Sequence, residues 1–215
     1  MHKISLLKTT KFLVVFTLTI FITSCAQVSQ VADPKTISVN LSGLTLDPSQ
    51  APTIVYKREG ATTLANYKKF ILDPLSIDYK DPKLKDISSS EIKHIQNYFT
   101  EIITQELVNG GYKLVTRSAP DVLRMTFSIK ELKAPSASTN VSMLLIPGLS
   151  TSVGEVTIQA VFTESHTNII NAVVLESSRG SYMFNANPLT TVSDVEVAFD
   201  NWAKGLRKAI DKAHE

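Results

Sequence analysis

Cysteine is nearly absent from this chain, since Cys25 is the single example among 215 residues. No disulfide can form within the chain, and zinc patterns that need several cysteines are excluded. Glycine is scarce as well, with eight residues. Its one pair, Gly110-Gly111, follows a predicted helix instead of opening one, which is the wrong end for binding a phosphate. A domain after Cys25 must therefore be held together by its hydrophobic core alone.

An excess of basic charge is also missing once the N-terminus is set aside. The full chain has a formal net charge of +2. Lys3, Lys8 and Lys11 precede Cys25, however, and no acidic residue does. The remainder is therefore slightly acidic and lacks the basic face that phosphate backbones require. We expect no nucleic-acid partner.

The common catalytic and metal-binding motifs are missing too. The histidines form no H-x-x-H or H-E-x-x-H pattern, which argues against a zinc site, and no serine stands in a G-x-S-x-G turn. A glycosidase needs two placed carboxylates, and Asp73, which precedes Pro74, is more typical of a strand end than of an acid catalyst. We predict a protein that is not an enzyme, with no catalytic residue, metal or cofactor. A cryptic envelope hydrolase is kept as an alternative.

The N-terminus does contain the order of a secretory signal, with basic residues, an uncharged apolar run and then small residues. The run over residues 12–22 is about half of the ~20 residues that a membrane-spanning helix needs, which favours cleavage over retention as an anchor. It leads into Ile22-Thr23-Ser24-Cys25, which resembles the lipobox of bacterial lipoproteins. We predict cleavage between Ser24 and Cys25 and acylation of Cys25, because two or more acyl chains anchor a protein stably where one does not.

The residue after the predicted lipidation site indicates to which membrane a lipoprotein is sorted. Proteobacterial lipoproteins held at the inner membrane usually have Asp there, and this chain has Ala26. We therefore expect the periplasmic face of the outer membrane. The predicted organisation is a lipoprotein signal peptide (1–24), a lipidated Cys with a polar tether (25–35) and a single domain (36–215).

The first half of the domain is predicted as an arm, a strand and a helix. Gly43, Pro48 and Pro52 interrupt residues 36–55, which predicts an irregular, partly docked arm. Residues 67–77 favour a strand whose later half is an edge or a bulge, because it contains Pro74. Ser88 and Glu91 have capping-box spacing. Apolar residues then recur every three or four positions up to Asn109-Gly110-Gly111, which predicts a helix between these points.

The second half is predicted as four strands and a helix. Alternating or branched apolar residues favour strands at 112–116, 123–130, 156–162 and 169–178, with a hairpin turn at 165–168. An amphipathic helix follows over about 192–212, and its apolar stripe predicts a core position for Trp202. These stripes predict a two-layer α+β fold, in which a mostly antiparallel sheet carries two amphipathic helices on one face.

Three sequence patterns occur here in a familiar order. They are Tyr67-x-x-Phe70-Ile71-Leu72-Asp73-Pro74, then Gly111-Tyr112-x-Leu114-Val115 with Ala119-Pro120-Asp121-Val122-Leu123-Arg124, and finally Trp202-Ala203-x-Gly205-Leu206-Arg207. Together they resemble a family of bacterial lipoproteins called domain of unknown function 3313, over residues 40–212. The resemblance implies the lipoprotein address and the fold, and it supplies no mechanism. The stretch 164–169 departs from the Asp…Thr-Gly-Glu turn that family members tend to have.

One apolar loop candidate, residues 141–149, is predicted to need a cover. It either folds over the sheet or forms a docking surface for an envelope protein, a lipid or the membrane. The residues that would form this surface are Met143, Leu144, Leu145, Ile146 and Leu149.

The leading functional hypothesis is a lipid-anchored envelope protein with a non-enzymatic binding or structural role. Its expected partners are the membrane, through the lipid anchor, and another envelope protein. The alternative is a periplasmic carrier or chaperone for a lipid or other apolar ligand. A buried, continuous cavity in place of a filled core would favour the carrier.

Overall fold

The computed structural model describes residues 32–61, 64–77, 88–133, 155–179 and 191–215. The longer elements, in chain order, are β1 (Leu44–Leu46), β2 (Ile54–Arg58), β3 (Lys69–Leu72), β4 (Ser76–Ile77), α1 (Ser89–Asn109), β5 (Lys113–Leu114), β6 (Val122–Lys133), β7 (Glu155–Glu164), β8 (Ile170–Arg179) and α2 (Thr191–Ala213). Short 3-10 helices lie at Pro34–Thr36, Pro48–Gln50 and Leu64–Asn66.

The strands form one mixed sheet in the order β1-β2-β8-β7-β6-β3-β5, and β4 also pairs with β6. β3 runs parallel to β5 and β6, and β4 runs parallel to β6. The other pairs are antiparallel. α1 lies between β3 and β5 in the chain, in agreement with the need of a parallel pair for a crossover connection. The predicted mostly antiparallel α+β sheet is confirmed.

The start and end of α1 are confirmed as the sequence predicts them. The Glu91 N–H donates to Ser88 Oγ (3.2 Å) and the Ser88 N–H donates to Glu91 Oε2 (2.8 Å), which completes the capping box. The helix ends at Asn109, and Gly111 adopts a φ of +79°. Only glycine takes this conformation without strain, so the chain turns here into β5.

The hairpin between β7 and β8 closes without the glycine of the family pattern. Asn168 takes a φ of +60°, a conformation that asparagine tolerates better than most residues. The Glu164 N–H donates to the Ile169 carbonyl (2.9 Å), and the Thr167 hydroxyl donates to the Glu164 carboxylate (2.8 Å). The predicted turn at 165–168 is therefore confirmed.

The prediction of an irregular arm over residues 36–55 is wrong in its second half. Within it β1 forms, and β2 begins at Ile54 and pairs with β8, with Val55 opposite Val174. β2 lacks a long alternating pattern because it is five residues long, and its hydrogen bonds to β8 fix its conformation. Pro48 starts a 3-10 helix between the two strands, where its missing N–H costs nothing.

Both helices pack on one face of the sheet, as predicted, and Phe99 lies where they meet. Phe99 is fully buried. Its ring makes edge-to-face contacts with Phe127 of β6 (centroids 5.0 Å apart) and with Phe199 of α2 (4.9 Å). Aromatic pairs in this arrangement are attractive beyond the area that they bury. Phe99 thus joins α1, α2 and the sheet in a single core.

The opposite face of the sheet is buried along β7. Thr157, Gln159 and Val161 point away from the helices and are as inaccessible as their helix-facing neighbours. The N-terminal segment contributes to this cover, because the Ser38 N–H donates to Gln159 Oε1 (2.9 Å) and Lys130 Nζ donates to Ser38 Oγ (2.9 Å). β7 is therefore a central strand with two covered faces, where the sequence predicts only alternation.

Candidate functional site

The residues predicted to anchor the protein or to dock a partner lie outside the described residues. This applies to the cleavage site at Ser24 and Cys25 and to the whole loop 141–149, including Met143, Leu144, Leu145, Ile146 and Leu149. Lipidation and docking there stay predictions. In the described part of the chain, no helix is long and apolar enough to cross a membrane.

Asp73 has a structural role. Its carboxylate accepts hydrogen bonds from Arg124 Nη1 (2.7 Å) and Thr126 Oγ1 (2.6 Å), both on β6. Its N–H donates to the Met125 carbonyl. These contacts fasten the end of β3 to β6, in agreement with the interpretation of Asp73 as a strand-end residue.

The histidines are dispersed over the described structure. His94 and Glu196 link α1 to α2 at 2.7 Å, while His166 is exposed in the β7–β8 turn. His214 Nδ1 lies 2.8 Å from the Ile210 carbonyl. Among the described residues, no group of three or more His, Cys, Asp or Glu side chains could hold a metal ion.

Two tyrosines also connect the helical layer. The Tyr98 hydroxyl donates to Asp200 (2.8 Å) and the Tyr112 hydroxyl donates to Asp211 (2.7 Å). Burial, followed by these hydrogen bonds to carboxylates, raises the pKa of each tyrosine to about 12. Both phenols are therefore protonated donors at neutral pH, and their contacts join α1 and β5 to α2.

One feature of the described residues has the form of a binding site, a cavity of about 560 Å³ between α2 and the β2–β8 side of the sheet. This volume falls within the range of small-molecule sites. The residues around it are mainly apolar, and those of the sheet and α2 include Val55, Phe127, Ala160, Val174, Trp202 and Leu206.

Small residues on both walls keep the space open. Ala160 and Ala172 line it from the sheet, and Gly205 and Ala209 line it from α2. A Cβ added to Gly205 would meet no atom within 4 Å. The small side chains at these four positions leave the space unfilled, and Gly205 and Ala209 are exposed at its edge.

One end of the cavity contains a buried carboxyl group. Glu176 on β8 lines it beside Trp202, and the indole hydrogen-bonds the carboxyl group. Burial raises the pKa of Glu176 above its usual value, and the hydrogen bond from Trp202 opposes this shift. The same contact explains the position of Trp202. Trp202 packs against the Phe199 ring of the core, in agreement with its predicted core position. Its side chain is also partly exposed and lines the cavity, which the sequence does not predict.

The other end contains Asn171, which sits at an irregularity in the β7–β8 ladder. The register shifts between Phe162 and Thr163, so that Asn171 is an extra residue on β8 next to Ala172. Asn171 is 6 % exposed and lines the cavity. Neither its Oδ1 nor its Nδ2 has a hydrogen-bond partner in the described structure. Two buried side-chain atoms without partners in one residue are unusual, because buried polar groups are nearly always hydrogen-bonded.

The charged residues around the cavity balance one another. Lys57 and Asp47, which both line it, form an ion pair at 2.9 Å. Hydrogen bonds from Ser49 and from Lys57 lower the pKa of Asp47 to about 2. Arg58 donates from Nε to the Ile170 carbonyl at the Asn171 end (2.9 Å). With Glu176 at the far end, the described lining carries two cationic and two acidic side chains.

Sequence reasoning did not locate this cavity, although one signal points to it. Gly205 lies inside the predicted last helix, where a glycine is about 1 kcal/mol less favourable than alanine. A glycine in that position calls for a packing or functional reason. The structure supplies one, since Gly205 lines the cavity. The opposite wall cannot be read from the sequence, because it depends on the pairing of β2 with β8.

Comparison with known proteins identifies the family. No curated protein matches the chain. Among solved structures it is similar to the PelC dodecamer of Paraburkholderia phytofirmans (10 % identity, 69 % of this chain and 96 % of the other, TM-score 0.39). It is also similar to a minor lipoprotein of Acinetobacter baumannii (12 %, 67 % and 90 %, 0.35) and to a hypothetical protein of Chlamydia trachomatis (9 %, 67 % and 98 %, 0.41). Residues 33–206 match the family described as protein of unknown function (DUF3313), and the chain belongs to that family.

Proposed function

We propose that this protein is a lipid-anchored, non-enzymatic protein of the bacterial envelope whose domain binds an apolar ligand between α2 and the β2–β8 side of the sheet. The cavity carries this proposal. It is continuous, of small-molecule size and lined mainly by apolar side chains, the features expected of a binding pocket. It supports the carrier role as an apolar pocket beside a filled core, where a buried cavity in place of that core is the stronger sign of a carrier.

The anchor belongs to the same proposal. The signal at residues 1–24 followed by Cys25 supports acylation, and Ala26 supports the periplasmic face of the outer membrane. A domain held at that surface is close to a source of apolar ligands. Cys25→Ser should abolish incorporation of labelled palmitate and shift the protein out of the membrane fraction. Palmitate labelling that survives this substitution would disprove the anchor and leave the cavity proposal standing.

The loop 141–149 is proposed as the contact with another envelope protein. In-cell crosslinking of the wild type should capture one specific protein, and a Leu144→Asp/Leu145→Asp double variant should lose it while staying folded. An unchanged crosslinking pattern would contradict this part of the proposal.

Ligand binding can be measured through Trp202, which lines the cavity and is the only tryptophan of the chain. We expect energy transfer from Trp202 to the apolar fluorophore N-phenylnaphthylamine when this probe binds to the full-length protein, purified from membranes into amphipol. Gly205→Phe should abolish the transfer, because its ring projects into the open space. Gly205→Ala is the matched control and should retain it.

Gly205→Ala is expected to fold, since nothing lies within 4 Å of the added Cβ, and thermal melts establish whether Gly205→Phe folds as well. Equal energy transfer in the wild type and in a folded Gly205→Phe variant would rule out the cavity as the binding site.

A further inference from the structure

Two polar residues of β8 line the cavity at separate points along the strand. Asn171 and Glu176 are five residues apart on β8, and both line it. At the rise of an extended strand, this separation is about 16 Å. Val174 faces the space between them, and Trp202 and Leu206 face it from α2. This arrangement fits a single apolar chain that lies along β8.

Asn171 sets the chemistry at its end. Its amide offers a donor at Nδ2 and an acceptor at Oδ1, it is 6 % exposed, and within the described structure both atoms lack a partner. A ligand group that satisfies both atoms must accept one hydrogen bond and donate another. A primary amide or a hydroxyl group does so. A carboxylate only accepts, and a methyl ester has no donor.

The charged side chains around the cavity do not by themselves identify the head group. Lys57 is neutralised by Asp47 in the ion pair at 2.9 Å. Arg58 and Glu176 carry opposite charges and are the other two charged side chains of the described lining. A carboxylate at this end would have the Arg58 guanidinium close to it, but it would leave Oδ1 of Asn171 without a donor. The head group that satisfies both amide atoms is therefore uncharged.

We infer that the cavity binds an uncharged single-chain amphiphile whose head group, a primary amide or a hydroxyl, pairs with both side-chain atoms of Asn171 while its alkyl chain extends along β8 toward Trp202. This inference rests on the proposed function and names the class of ligand. The β-bulge would then have a function, because it brings the Asn171 side chain to a mainly apolar space.

The test uses ligands with the same chain and different head groups. Dodecanamide, dodecanol, methyl dodecanoate, dodecanoate and dodecane are each titrated against N-phenylnaphthylamine bound to the full-length protein in amphipol. Each affinity is divided by the affinity for the variant Asn171→Leu, so that partition into the amphipol cancels. Two hydrogen bonds in a desolvated site correspond to about a tenfold preference. We therefore expect dodecanamide and dodecanol to bind the wild type about tenfold more tightly than the variant, and methyl dodecanoate and dodecane to show no such ratio.

The outcomes separate this inference from the proposed function. If the probe binds and every ligand gives a ratio near one, or if dodecanoate gives the largest ratio, the head-group inference is overturned while the apolar site stands. If the probe does not bind the wild type at all, the proposed function fails and the inference fails with it. Asn171→Ala serves as a second variant with the same expected ratios, so that a folding defect of one substitution does not decide the result.

Discussion

Replacing Asn171 with leucine should make the unliganded protein more stable, which is an unusual outcome for a substitution at a buried position. Leucine has the same branched arrangement of side-chain heavy atoms as asparagine and no polar atom, and the adjoining cavity has room for its larger methyl groups. A buried polar side chain without a partner destabilises the folded state by about 1–3 kcal/mol, and neither side-chain polar atom of Asn171 has a partner among the described residues. Asn171→Leu removes that penalty. We expect a gain of about 1–3 kcal/mol in the free energy of unfolding, or about 2–4 °C in Tm for each kcal/mol.

The assay is urea denaturation followed by Trp202 fluorescence, with circular dichroism as the second probe. The matched control is Asn97→Leu, the same substitution at an exposed position of α1, where the change should stay within about 0.5 kcal/mol. Loss of 1 kcal/mol or more in Asn171→Leu, with an unchanged m-value, would refute the reasoning. It would mean that the Asn171 amide already has a partner in the folded protein. If the reasoning holds, saturating dodecanamide should stabilise the wild type more than the variant, because only the wild type pairs with the head group of this ligand.

Three further predictions concern the core, the cavity carboxyl group and the α2 glycine. Phe99→Ala should lower the free energy of unfolding by about 3–5 kcal/mol. The control Val108→Ala, at a position that is 56 % exposed on the same helix, should change it by less than about 0.5 kcal/mol. Similar losses for the two variants in denaturant titrations would contradict the central position of Phe99. Burial raises the pKa of Glu176 in the folded state, so its contribution to stability is complete below the unfolded pKa and is lost as the pH rises through the folded pKa. Glu176→Gln should accordingly be more stable than the wild type at neutral pH, with the difference disappearing in melts below about pH 4, and a difference independent of pH would exclude titration of Glu176 as its cause. Gly205→Ala should stabilise the protein by about 0.5–1 kcal/mol, and a lower Tm would show that the glycine conformation is required there.

The sequence predicts those elements of this fold that depend on local chemistry. The capping box at Ser88 and Glu91 defines the start of α1, and the alternation in β6 identifies its buried face. Both are encoded by residues next to one another in the chain. β2 escapes prediction because its five residues become a strand through pairing with β8, more than a hundred positions away. The parallel pairing of β3 with β6 is of the same kind.

The candidate site is harder to predict because it consists of space between distant elements. Trp202 belongs to the apolar stripe of α2, and a stripe alone does not show which of its members contact the sheet and which face a gap. Asn171 has no local signature, since its exclusion from the ladder comes from a register shift between two paired strands. Gly205 is the residue whose position in the sequence points to the cavity, because a glycine is unfavourable within a helix and calls for a packing or functional reason.

The attachment of β2 has a consequence for folding order and for access to the cavity. Val55, which lines the cavity, is held opposite Val174 by a contact of very long sequence separation, and contacts of this kind close large loops and form slowly. Among the described strands, β1 pairs with β2 alone. The two strands therefore form an outer flap that is joined to the sheet through the hydrogen bonds between β2 and β8. The amides of this flap should exchange with deuterium faster than those of β6 and β7, by an opening smaller than global unfolding. We expect this wall of the cavity to form late in folding and to open before the rest of the sheet, so that a ligand can enter while the Phe99 core stays closed.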